Sequence, residues 1–65
     1  MINIGMQIKV KYPEYARDLI GVIVAQELDS SRWIIEVKPN PFKSQRESLF
    51  LSLAKSDFEV VEFLN

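Results

Sequence analysis

The stretch from Arg32 to Lys38 carries an apolar side chain at every second position, and it limits the possible folds more than any other segment. The positions are those of Trp33, Ile35 and Val37. Successive side chains of a β-strand point to opposite sides, so this period is typical of a strand that buries one face. β-Branched and aromatic side chains also pack well on a pleated surface. The pattern predicts a strand, with the single Trp of the chain in the core.

Four other segments have strand-like patterns or compositions. Apolar residues fill the even positions from Ile2 to Tyr12, and an apolar run of mostly β-branched residues surrounds Gly21, where a bend or a close backbone approach is expected. In the last segment Phe58 and Val60 are predicted to point inward. The five predicted strands are Met6–Lys11, Leu19–Gln26, Arg32–Lys38, Glu47–Leu53 and Phe58–Phe63.

The segments between these strands contain turn-forming residues. Pro13 ends the first strand because proline has no N–H for the sheet. Glu27–Ser31 is a polar hairpin turn, Pro39–Arg46 is a loop with two prolines, and Ala54–Asp57 predicts a 3₁₀ turn. We therefore predict an all-β fold: a five-stranded SH3-like barrel with a 3₁₀ turn before the last strand. Closure would limit exposed strand edges.

Length and composition set further bounds. A chain of 65 residues forms one domain, over residues 1–65, and 48% hydrophobic residues argue against disorder. The absence of Cys and His excludes disulfides, thiolate or imidazole metal ligands and catalysis by imidazole. With no glycine-rich phosphate loop either, we expect no enzyme, cofactor or metal. We also expect a cytoplasmic location, without a signal peptide or membrane insertion. A peripheral position on a membrane complex is compatible with this expectation.

Several segments together resemble one family, the small SH3-like stromal subunit of photosystem I. In that family a Gly-x-x-Val-Arg-Ile strand precedes a Pro-Glu-Ser-Tyr loop, and a Gly-Thr-Val strand follows. The loop after Pro13 is shorter here, and the Ala54–Asp57 turn displaces the closing segment. The resemblance implies a non-catalytic accessory subunit that docks on a larger, photosynthetic complex or helps an acidic electron carrier to dock there. The matching segments are Gly5–Val10, Pro13–Tyr15, Gly21–Ile23, Trp33–Val37, Phe50–Leu53 and Phe58–Glu62.

Charge and exposed aromatic residues provide the candidates for partner binding. The formal charge is -1, but Arg32–Arg46 is locally basic and predicts a face that attracts an acidic protein. An ordinary mixed surface is the alternative, and so is a nucleic-acid-binding module of the ribosomal or transcription kind, against which the net charge counts. The tyrosines near Pro13 either cover the core or form a binding face, and Phe42 either folds back or contacts a partner. The candidate contact residues are Lys9, Lys11, Tyr15, Arg17, Lys38, Phe42, Lys43 and Arg46.

The acidic and aromatic ligand surface of eukaryotic signalling SH3 domains is not recognisable in this sequence. Binding of proline-rich peptides is therefore not expected. The most concrete hypothesis from the sequence is a protein-interaction module that uses its loops, with an acidic protein as partner.

Overall fold

A computed structural model describes residues 1–38 and 47–61, and within these ranges the fold is all-β. It contains five strands in one antiparallel sheet and two 3₁₀ segments, Glu14–Ala16 and Lys55–Asp57. The five predicted strands and the 3₁₀ turn before the last one are confirmed, with shifted ends, whereas the first 3₁₀ segment was not predicted. The strands are β1 (Gln7–Val10), β2 (Ile20–Gln26), β3 (Arg32–Val37), β4 (Leu49–Ala54) and β5 (Phe58–Val60).

The predicted Pro39–Arg46 loop lies outside the described residues, and so do Glu62 and Phe63 of the predicted last strand. Within the described part of the chain, no helix is long and apolar enough to cross a membrane.

The sheet has the order β4-β3-β2-β1-β5, so the first four strands form a meander and the last returns to the first. Val10 lies opposite Phe58 in the pairing of β1 with β5. Among the described residues, backbone pairing does not join β4 to β5, and the sheet is not closed into a barrel.

The core follows the alternation that the sequence shows. On β3, Ile35 and Val37 are buried, whereas Trp33 is only partly buried and packs against the core from its edge. The prediction of Trp33 as a core residue therefore holds only in part. Val60, predicted to point inward, is 38% exposed. The fully or nearly fully buried apolar residues are Ile8, Val10, Ala16, Ile23, Ile35, Val37, Leu51, Leu53 and Phe58.

β2 approaches β3 closely at Gly21. A Cβ atom added to Gly21 would lie 2.6 Å from Cγ2 of Ile35 and 3.0 Å from the carbonyl oxygen of Glu36. The predicted close approach at Gly21 is thus confirmed. The irregularity of β2 lies further on, because the register with β3 shifts between Ile23 and Ala25, as in a β-bulge.

Candidate interaction surface

A groove of about 290 Å³ lies between the segment that follows β1 and strand β4. Four consecutive residues of β4 contribute to it, so the groove follows the strand. We call it the aromatic groove. It is lined by Tyr12, Pro13, Tyr15, Arg32, Phe50, Leu51, Ser52, Leu53 and Asp57.

Three of the lining residues are aromatic and largely exposed. Tyr12 is 62% exposed, Tyr15 74% and Phe50 60%. Large apolar surfaces of this kind on a small domain mark contact sites when they lie together. Of the two alternatives for the tyrosines, the exposed arrangement is the one observed, and the aromatic groove gathers them with Phe50.

Local structure explains why these side chains face outward. Both Lys11 and Tyr12 donate backbone N–H groups to the carbonyl oxygen of Asp57, at 2.8 and 3.1 Å, which fixes Tyr12 beside the second 3₁₀ segment. Ala16 is fully buried and its N–H binds the Pro13 carbonyl oxygen at 3.0 Å. With Ala16 turned inward, its neighbour Tyr15 faces solvent.

Phe50 has a simpler reason for its exposure. It precedes the buried Leu51 on β4, and adjacent side chains of a strand lie on opposite faces. The period that buries Leu51 and Leu53 therefore places Phe50 on the outer face.

A polar network joins the β2–β3 turn to β4 at the same surface. The Arg32 guanidinium donates to the hydroxyl of Ser52 through Nε at 2.9 Å and to its carbonyl oxygen through Nη2 at 2.6 Å. The Ser52 hydroxyl in turn donates to Oε1 of Glu27, and the Ser30 hydroxyl donates to Oε2 of Glu27. The hydrogen bonds from Ser52 and Ser30, with a smaller effect of the Arg32 charge, hold the pKa of Glu27 below its usual value despite some desolvation.

The network gives Glu27 a predicted role in pH-dependent stability. A lowered pKa in the folded state means that the charged carboxylate stabilises the fold above its ordinary pKa of 4.5, and that this stabilisation is lost as pH falls through the folded-state pKa. Glu27→Gln should therefore melt a few degrees below the wild type at about pH 7, with the difference closing as pH falls below 4.5 and through the lowered pKa. Melting curves followed by circular dichroism across this pH range measure it.

Asp29→Asn is the matched control, because it removes a carboxylate from the same exposed turn. A difference between Glu27→Gln and wild type that does not shrink as pH falls below 4.5 would contradict the role assigned to the carboxylate.

The predicted basic contacts are distributed differently from the aromatic residues. Lys9 forms an ion pair with Glu59 at 3.2 Å, and Arg17 forms one with Glu14 at 3.2 Å. Lys11 and Lys38 are exposed at the end of the sheet where β1 and β3 finish. Of the five candidates within the described residues, Tyr15 alone lines the aromatic groove. Phe42, Lys43 and Arg46 lie outside the described residues, and the basic face stays a prediction.

Sequence reasoning did not assign Tyr12, Arg32 or Phe50 to the contact set. The signal for Phe50 was present, since its parity relative to Leu49 and Leu51 predicts an outward side chain. Its proximity to Tyr12 and Tyr15 depends on contacts between distant parts of the chain, which periodicity does not contain.

The chemistry of this surface suits recognition by stacking, apolar contact and hydrogen bonding. Within residues 1–38 and 47–61, no group of three or more His, Cys, Asp or Glu side chains could hold a metal ion. No family model, curated protein or solved structure matches this chain. The aromatic groove and the residues that form it are therefore the basis for a functional proposal.

Proposed function

We propose that this chain is a non-catalytic protein-interaction domain that binds its partner through the aromatic groove. The observation that carries the proposal is the grouping of Tyr12, Tyr15 and Phe50, each more than half exposed, along one groove. Tyrosine and phenylalanine are enriched in protein interfaces because they bring a large apolar area at a small cost in side-chain entropy.

We further propose that the domain has the fold of an SH3-like barrel. The strand order β4-β3-β2-β1-β5 and the 3₁₀ segment directly before β5 support it. The sequence resembles the small stromal subunit of photosystem I. On this basis we propose that the partner is a larger complex and that this domain is its accessory or docking subunit. An acidic partner would pair with the exposed Lys11 and Lys38.

A nucleic-acid-binding module is a second candidate, because bases also stack on exposed aromatic side chains. Tyr12, Tyr15 and Phe50 would supply such a platform. The net charge of -1 counts against a phosphate backbone as partner, and two of the described cations, Lys9 and Arg17, are already paired with carboxylates. Fluorescence anisotropy with single-stranded DNA and RNA distinguishes this candidate from protein binding.

The proposed function is tested by site-specific crosslinking in the native cell. A photoreactive amino acid at position 50 should capture a defined partner, whereas the same amino acid at position 28 should not. Leu28 is the matched control because it is 98% exposed and does not line the aromatic groove. The captured protein is then purified and its affinity for the domain is measured.

With the purified partner, Phe50→Ser should weaken binding by about 10- to 30-fold, as expected for loss of an aromatic anchor, while Leu28→Ser should leave affinity unchanged. Both variants should keep the melting temperature of the wild type within a few degrees, because both side chains are largely exposed. Equal crosslinking at both positions, or equal affinities of the two variants, would refute binding through the aromatic groove.

A further inference from the structure

We propose that the aromatic groove binds an extended, acidic segment of its partner, which adds as a new strand to the free edge of β4. This inference rests on the proposed function, because it specifies how the same groove recognises its ligand. The occupant is a peptide in β conformation with a carboxylate side chain, and its main chain pairs with β4.

The two edge strands of the sheet, β4 and β5, differ in length and in charge. An edge strand exposes unpaired backbone groups, and proteins protect such strands by making them short or charged. β5 is protected in both ways, since it has three residues and carries Glu59, which is paired with Lys9. β4 has six residues, Leu-Phe-Leu-Ser-Leu-Ala, and none of them is charged. β4 is thus the longer and uncharged edge strand; its outward Ser52 carbonyl oxygen and Ala54 N–H already bond Arg32 and Asp57, so an added strand would pair with it at Phe50.

Backbone N–H and C=O groups of β4 face the aromatic groove. The Ser52 carbonyl oxygen accepts from Arg32, and the Ala54 N–H donates to Oδ2 of Asp57 at 3.2 Å. Arg32 and Asp57 both line the aromatic groove, so these backbone groups face it. Alternate residues of an antiparallel strand direct their N–H and C=O groups to the same side, and Phe50 belongs to the same set. Within the described residues, no strand pairs with this side of β4.

The Arg32 guanidinium brings a positive charge to the groove. The Arg32 guanidinium uses Nε and Nη2 on Ser52, and among the described residues Nη1 has no acceptor. Two carboxylates already lie at this surface: Asp57 lines the groove and accepts from Ala54, and Glu27 accepts from Ser52 and interacts with the charge of Arg32. A guanidinium with free N–H groups beside an apolar groove favours a carboxylate ligand, because charge-assisted hydrogen bonds are stronger than neutral ones. Arg32 therefore selects an acidic peptide.

The test begins with a phage-displayed library of random peptides, selected on the wild-type domain and in parallel on the Phe50→Ser domain. We expect the wild type to enrich peptides that alternate apolar and polar residues and contain Asp or Glu. Synthetic copies of an enriched peptide then carry N-methyl groups at alternate backbone nitrogens. Methylation of the set that pairs with β4 should weaken binding by about tenfold or more, and methylation of the other set should be tolerated.

The role of Arg32 is tested with the same peptides. Arg32→Gln should weaken binding of the acidic peptide by about tenfold and should not weaken its Asn or Gln counterpart. Lys38→Gln is the control, because Lys38 is an exposed cation that does not line the aromatic groove.

The outcomes separate this inference from the proposed function. Enrichment of proline-rich peptides, or equal tolerance of both methylated sets, would overturn strand addition while leaving the groove as the binding site. Loss of affinity in Arg32→Gln that is the same for acidic and amide peptides would overturn the choice of an acidic ligand. A lack of peptides that prefer the wild type over Phe50→Ser would overturn strand addition, whereas crosslinking at position 50 tests the groove itself independently.

Discussion

Replacing Ile35 by Ala should unfold most of the domain at room temperature. Ile35 is fully buried and lies opposite Ile23 of β2 and Leu51 of β4, at the centre of the sheet. Truncation of a buried Ile to Ala removes favourable burial and leaves a cavity, which costs about 2–5 kcal/mol. A domain of this size without disulfides has a total stability of about 3–5 kcal/mol, so the loss is comparable to the whole. Urea unfolding followed by Trp33 fluorescence measures it.

Two further variants show whether the effect follows burial. Leu28→Ala should leave the unfolding midpoint unchanged, since Leu28 is almost completely exposed. Truncation of a fully buried Trp to Ala typically costs about 3–5 kcal/mol. Trp33→Ala should cost less because Trp33 is only partly buried, and circular dichroism measures its unfolding. If Trp33→Ala proved more damaging than Ile35→Ala, the centre of the core would have to be placed at Trp33.

Gly21→Val should have a comparably large effect, through crowding instead of a cavity. The first added carbon would lie 2.6 Å from a methyl group of Ile35, which is β-branched and fully buried. The Glu36 carbonyl oxygen at 3.0 Å belongs to the backbone of β3 and has little freedom to move. Overpacking a core costs about 1–3 kcal/mol, so Gly21→Ala should be destabilised within that range and Gly21→Val at its upper end or beyond. Thermal melting measures both.

Gly5 provides the matched comparison for Gly21. A Cβ at Gly5 would have nothing within 4 Å, so Gly5→Ala tests conformation without crowding. Its φ of +97° is unfavourable for other residues and should cost about 1–2 kcal/mol. Gly21→Val with the melting temperature of the wild type would mean that β2 and β3 can move apart without loss of stability.

The strands could be predicted from the sequence because their signal is local. Alternation around Ile35, an apolar run around Gly21, and prolines or polar residues between the segments were sufficient to place all five strands and the Lys55–Asp57 turn. Most observed strand ends differ from the predicted ones by one or two residues, because the last residue of a strand depends on its partner in the sheet.

The candidate site could be predicted only in part. Tyr15 was named, but the groove it lines also needs Phe50 and Arg32, which are distant from it in sequence. Their proximity results from the pairing of β3 with β4 and from the contact of the Tyr12 backbone with Asp57. Hydrophobic periodicity reports which face of a strand is buried, not which loop lies beside that strand. The partial exposure of Trp33 was missed for the same reason.

The pairing of β5 with β1 has a consequence for how the chain acquires its structure during synthesis. Phe58 is a core residue, and its partner Val10 is made long before it. Until Phe58 has left the ribosome, one side of β1 has no neighbour, and Ile8 and Val10 lack part of their cover. Contacts between such distant residues require closure of a long loop, which makes folding slow for a chain of this length. The emerging polypeptide therefore exposes apolar strands until the last of them arrives, and this interval is when a chaperone would have the most surface to bind.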